Sequence, residues 1–98
     1  MDNWPFEASR NTAALTTWSV LKARAPILLV THDADDGGWQ FLPGGTVTAA
    51  DAAIVGLGEM CGRDVTLLEL ADLPEGWRAW RAAPGAPWQR EESNASRL

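Results

Sequence analysis

Two short runs rich in strand-forming side chains, residues 27–31 and 39–42, flank the segment His32-Asp33-Ala34-Asp35-Asp36-Gly37-Gly38. Asp and Gly concentrated between two such runs predict a β-hairpin, because both residues tolerate the backbone angles of a reversal. Pro26 on one side and Pro43-Gly44-Gly45 on the other close the unit. In the first run Ile27, Leu29 and Thr31 alternate with Leu28, Val30 and His32, so both faces are largely apolar, as in an interior strand. In the second, Trp39 and Phe41 alternate with Gln40 and Leu42, the half-buried pattern of a less central strand. A connection over 33–38 is longer than a two-residue turn and predicts a positive φ at Gly37 or Gly38.

The rest of the chain is read around this hairpin. Residues 1–12 show no periodicity and predict an arm whose Trp4 and Phe6 tuck against the domain. Residues 13–24 place Leu15, Trp18 and Leu21 at helical spacing and predict a short helix capped by Asn11 or Thr12. The threonines weaken that helix, and an irregular strand is the alternative. Over 49–61, Ile54, Leu57 and Cys61 form an apolar stripe of helical period, opened by Thr48 and Asp51 at capping-box spacing and closed by Gly62. Asp64 predicts the cap of a short helix over 65–71, which Pro74 must follow as a breaker. Residues 77–82 alternate Trp77 against Trp80 and predict a third strand, with Arg78 and Arg81 available to offset the acidic hairpin. The expected architecture is one α+β domain over 13–88. It has a mainly antiparallel sheet (hairpin 27–32/38–42 plus strand 77–82) with helix 49–61 packed on it and a short helix 65–71. Residues 89–98, polar and charged, are expected to be a flexible tail.

Charge position says more about partners than total charge does. The chain has 98 residues and a net charge of −5, from 13 acidic and 8 basic side chains. Asp33, Asp35, Asp36, Asp51 and Glu59 fall in the segment 25–62, which has no lysine or arginine, so this segment carries the whole negative excess. Phosphate backbones demand lysine and arginine, so nucleic acid is not the expected partner. A basic protein partner is. No apolar run approaches the roughly 18–20 residues of a membrane span. The start Met1-Asp2-Asn3-Trp4-Pro5 lacks the basic and apolar stretches of a secretory signal, and Cys61 is the single cysteine. A cytoplasmic setting is the expectation.

Four groups of residues bear on chemistry. His32 with Asp33, Asp35 and Asp36 contains metal-ligand types, but lacks the acidic closing position of an EF-hand loop and a second histidine for zinc. Cys61 or Ser19 with His32 could be assembled into a nucleophilic pair, yet Cys61 lies on an apolar stripe and Ser19 has no elbow motif. Gly44-Gly45 before a helical pattern meets neither phosphate-binding glycine fingerprint. Six tryptophans are many for this length. Trp80 and Trp88 flank Arg81 and a proline-rich turn, a composition common in protein contacts.

The run Val-Leu-Lys-x-x-x-Pro-Ile-x-x-Val-x-His-Asp-x-Asp-Asp-Gly-x-Trp-Gln-Phe-Leu, ending at Leu42, resembles a family of small, functionally uncharacterised bacterial proteins. The stretch Leu70-Ala-Asp-Leu-Pro-Glu-Gly-Trp77, with Ala79, Trp80 and Pro87-Trp88, is similar to that family's C-terminal signature, so the resemblance spans about residues 18–88. More distantly, the Asp-x-Gly-Trp-x-Phe core resembles a domain-of-unknown-function family with a branch of bacterial toxin-immunity proteins. The resemblance implies a small acidic α+β domain and brings no catalytic residues.

Together these readings predict a non-enzymatic protein-interaction module, with an immunity-type inhibitor as its concrete form. No catalytic, cofactor or metal residues are assigned. His32, Asp33, Asp35, Asp36, Trp80 and Trp88 are the candidate partner-binding residues. The alternative readings are a metal-dependent or hydrolytic enzyme centred on His32, Asp33 and Asp36, and a homodimer through Trp80 and Trp88.

Overall fold

The computed structural model describes residues 3–93. It has an α+β architecture built on a six-stranded mixed sheet. The predicted hairpin forms, with Leu29–His32 (β2) and Trp39–Leu42 (β3) paired antiparallel from Leu29↔Leu42 to His32↔Trp39. Asp33 and Gly38 close it, the Asp33 N–H donating to the Gly38 carbonyl at 2.8 Å. Gly37 takes the positive φ, 72°. A Cβ there would also sit 3.0 Å from the Glu75 carboxylate, which can swing aside, so it is the positive φ that demands glycine.

Three elements differ from the sequence expectation. Residues 13–24 are not one helix: Ala13–Thr17 form a strand (β1), and only Trp18–Ala23 (α1) are helical. β1 lies between β3, its parallel neighbour, and a strand that the sequence read as helix, Ala52–Gly56 (β4). The stripe over 49–61 is therefore composite. Ala49–Asp51 make a 3-10 turn, β4 follows, and the helix proper is Leu57–Arg63 (α2). Ala53 and Val55 are buried and Ile54 is out, a two-residue period that the helical spacing of Ile54, Leu57 and Cys61 had masked. Finally, Gln89–Glu92 (β6) are not tail but an edge strand on Trp77–Trp80 (β5), held by an Arg78–Glu91 ion pair across the strands. Residues 94–98 of the expected tail lie outside the described residues.

The sheet order is β4-β1-β3-β2-β5-β6. β3 is thus interior rather than peripheral, and β2 is interior as predicted. Pairing is antiparallel except between β1 and β3. α1 carries the chain from β1 past one strand position to β2, and the hairpin then returns β3 between them, parallel to β1. The turn over 65–71 is a 3-10 helix, Val65–Leu70, whose N-cap Asp64 accepts from the Thr66 N–H as expected.

α1, α2, the Val65–Leu70 turn and the N-terminal arm lie on one face of the sheet. Ala14, Val30, Trp39, Phe41, Val55 and Ala79 point into that side and meet Val20 of α1, Leu57, Met60 and Cys61 of α2, and Leu67 and Leu70. Phe6 of the arm is buried against the edge of the Trp39 ring, centroids 5.1 Å apart, so the arm tucks in as predicted. The arm also serves α2. The Leu57 and Gly58 N–H groups donate to the Thr12 and Arg10 carbonyls, which satisfies helix donors that would otherwise be orphaned. Among the described residues no helix is long and apolar enough to cross a membrane.

Arg81, just past β5, is the buried charge of the fold, its side chain 1% exposed. Its Nε donates to the Ile27 carbonyl, Nη1 to Thr66 Oγ1, and Nη2 to Asp64 Oδ2 at 2.7 Å, while the Trp88 ring covers its guanidinium at 4.2 Å. Burial alone would raise the Asp64 carboxyl. Hydrogen bonds from Thr66 and Arg81 and the Arg81 charge outweigh it and hold the group below the usual carboxylate range. Neither Arg78 nor Arg81 offsets the acidic hairpin, since each is taken by a different partner.

Two predictions follow from this frame. Asp64 has a lowered native pKa, so its contribution is complete above the unfolded value of about 3.9 and is lost as pH falls through the native value. Asp64→Asn leaves the buried Arg81 charge unanswered and should cost about 3 kcal/mol at pH 7, and its urea midpoint should converge on that of the wild type in strong acid. Separately, Arg24 ends α1 in the left-handed region at φ 60°, with its N–H on the Ser19 carbonyl. Arg24→Gly removes the Cβ strain there and should raise the stability measured by urea titration by about 1 kcal/mol.

Candidate functional site

Because α1, α2 and the 65–70 turn pack on one side, the other side of the sheet has no second layer among the described residues. Strand alternation puts Leu15, Ile54, Gln40, Leu42, Leu29, Thr31, Arg78 and Trp80 on this open face, in registers such as Ile54↔Leu15↔Gln40↔Thr31↔Arg78. Ile54 is 68% exposed and Trp80 38%. Exposed apolar side chains arranged contiguously on one sheet face mark a contact surface far more strongly than scattered ones do.

The acidic loop stands at one end of this face. Asp33 continues the alternation of Leu29 and Thr31, and its carboxylate accepts from Gln40 Nε2 at 2.8 Å and Thr31 Oγ1 at 3.3 Å, both open-face side chains. Asp36 accepts from the Gly38 N–H at 2.8 Å. These two aspartates are therefore acceptors within the hairpin as well as surface charges. A depression of about 260 Å³ lies between them and the sheet, lined by Leu15, Gln40, Ile54, Asp33 and Asp36. Its walls combine aliphatic carbon with two carboxylates, which suits the stem and head of a lysine or arginine from another protein.

His32 belongs to the opposite face. Its ring stacks on Trp39 at 3.9 Å between centroids, and Nδ1 donates to the Leu73 carbonyl at 2.7 Å. It borders a separate cleft of about 540 Å³ with Glu7, Asp72 and Glu75. His32 and Asp33, adjacent in sequence, thus point to opposite sides of the sheet and do not form an acid–base pair. Among the described residues no cluster of three His, Cys, Asp or Glu side chains is disposed to hold a metal ion.

The remaining candidates resolve in the same way. Trp80 lies on the open face. Trp88 does not, being half-buried over Arg81 with its indole N–H unpartnered among the described residues. Ser19 Oγ donates to Asp51 at 3.1 Å and also meets Thr17 Oγ1. Cys61 is buried in the core, and its thiol is pushed up to about 11, by burial above all, with the Arg10 charge opposing and the Asp64 charge adding to the rise. Leu15 and Ile54 are the site residues that sequence reasoning missed. Their signal was the two-residue alternation of 13–17 and 52–56, hidden beneath a helical spacing.

No family model, curated protein or solved structure matches the chain.

A thiol that titrates near 11 is protonated at pH 8 and a poor nucleophile. Native protein should therefore react with a chromogenic disulfide reagent at the rate of global unfolding, and denatured protein at once. Rapid reaction of the folded chain would place Cys61 at the surface.

Proposed function

We propose that this chain is a non-enzymatic protein-binding module that docks a basic protein partner on the open face of its sheet. The observation that carries the reading is the continuity of the uncovered apolar strip, from Ile54 and Leu15 to Trp80, with the Asp33 and Asp36 carboxylates at its end. An apolar centre beside a charged margin is the usual anatomy of a protein contact, the centre supplying burial and the margin steering and register. The bias toward a basic partner comes from charge: the segment 25–62 contributes five acids and no lysine or arginine. An inhibitor of a basic toxin is the concrete form of this reading, in line with the resemblance to immunity proteins. His32 and Trp88 drop out of the binding surface because both are engaged on the helical side, and Leu15 and Ile54 enter it.

The test separates charge from fold. Asn keeps the side-chain oxygen that accepts from Gly38 and Gln40, so Asp33→Asn, Asp35→Asn and Asp36→Asn together should leave the melting temperature within a few degrees of wild type. Immobilised wild-type protein should retain a basic protein from an extract of the source organism. The purified partner should then associate at least about tenfold more slowly with the triple variant and with much weaker salt dependence. An unchanged association rate, or the absence of any protein that the variant fails to retain, would sink the proposal.

A further inference from the structure

The two edges of the sheet are unlike. β6 carries Arg90, Glu91 and Glu92, and charged side chains on an edge discourage pairing with another chain. At the opposite edge, residues 52–58 read Ala-Ala-Ile-Val-Gly-Leu-Gly, with no charge, no proline and no long polar side chain. Among the described residues the elements that pack most closely on β4 are β1 and α2, and Ile54 at its centre is the most open of its residues.

The hydrogen-bond parity of β4 can be worked out. Leu57 N–H donates to the Thr12 carbonyl at 2.8 Å, so in the antiparallel register the bonded pairs are 57 with 12, 55 with 14 and 53 with 16. The backbone groups of Ala52, Ile54 and Gly56 therefore point away from β1, toward the open edge. Two of these are already used: the Ala52 N–H donates to the Ala49 carbonyl, and the Gly56 carbonyl caps α2. What remains free among the described residues is the Ala52 carbonyl, both groups of Ile54, and the Gly56 N–H.

This remainder is self-complementary about Ile54. We propose that β4 pairs antiparallel with β4 of a second copy of this chain, on a two-fold axis at Ile54. In that register the two Ile54 residues exchange both their bonds, and each Gly56 N–H reaches the Ala52 carbonyl of the partner subunit, giving a closed four-bond ladder. The groups already engaged, Ala52 N–H and Gly56 C=O, are the two that would otherwise face each other. The Ile54 side chains meet on the open face across the axis and lose their exposure together. Net charge opposes any pairing of two copies, since each carries −5. In this register, however, Asp51 falls opposite Leu57 and Glu59 opposite Ala49, so no two charged residues stand directly across from each other. Pairing along one short strand buries less than the ~1,200 Å² of a standard stable interface, so the dimer is reversible and forms between micromolar and millimolar concentration.

Sedimentation equilibrium of the full chain across that range should show a monomer–dimer transition. Ile54→Lys sets like charges against each other on the axis and should raise the dissociation constant at least about tenfold. Because Ile54 is largely exposed, the variant should fold, which its circular dichroism can verify. Amide exchange supplies the second readout in wild-type protein: the Ile54 and Gly56 amides should become protected as concentration rises, while Ala53 and Val55 are protected throughout. A chain that stays monomeric at millimolar concentration overturns the proposal. So does a dimer indifferent to Ile54→Lys, or one whose Ile54 amide stays unprotected, as contact through Trp80 or elsewhere would produce.

Discussion

The buried guanidinium of Arg81 ties together segments that otherwise share little. It takes the Ile27 carbonyl from the entry to β2, the Thr66 hydroxyl and Asp64 carboxylate from the junction after α2, and the Trp88 ring from the approach to β6. A charge this deeply buried is tolerated only where its donors and its charge are answered, and leaving one unanswered costs about 3–5 kcal/mol. Alternative packings that separate the junction from the sheet are penalised by that amount. The helical layer and the end of the sheet are thereby held in one arrangement.

With the helical layer fixed on one side, the fold becomes strictly two-layered. Trp39, Phe41, Val30 and Ala79 fill the interior, and the arm seals it through Phe6 while supplying acceptors to α2. The opposite face is left with largely apolar side chains, interrupted by Gln40, Thr31 and Arg78, that are only partly covered. A sheet with one covered and one bare face usually alternates cleanly between apolar and polar along each strand. Here Leu15, Leu29, Leu42 and Ile54 break that alternation on the bare side, and binding gives their presence a physical reason.

The two proposed contacts share Ile54, which lines the acidic depression and sits at the centre of the free edge. Pairing through β4 would join two open faces into one surface, with an acidic loop on each side of the axis. Such a surface could present two basic partners with equivalent sites, or a single partner with a longer one. The hairpin loop thus carries a concentration of acids, whereas β4 itself carries no charged residue.

The hairpin was legible in sequence because its causes are local. Asp33, Gly37 and Gly38 set the reversal, and the two strands it joins pair within about a dozen residues of each other. Asp64 as a cap and Cys61 as a buried thiol were legible for the same reason, each depending on neighbours a turn away. The strands 13–17 and 52–56 were not, because each is made a strand by the other across forty residues, and leucine and isoleucine at helical spacing carry no record of that partner. β6 is stranger still: Gln-Arg-Glu-Glu has little strand preference and is held by pairing with β5 and by Glu91 on Arg78. Composition alone marked the acidic cluster and strand alternation already set His32 and Asp33 on opposite faces, but which of the two faces the helices would cover depended on the tertiary fold. Local chemistry determined the turns and the caps. Long-range burial, which acts between residues only once the chain has closed, decided the strands, the bare face and the free edge.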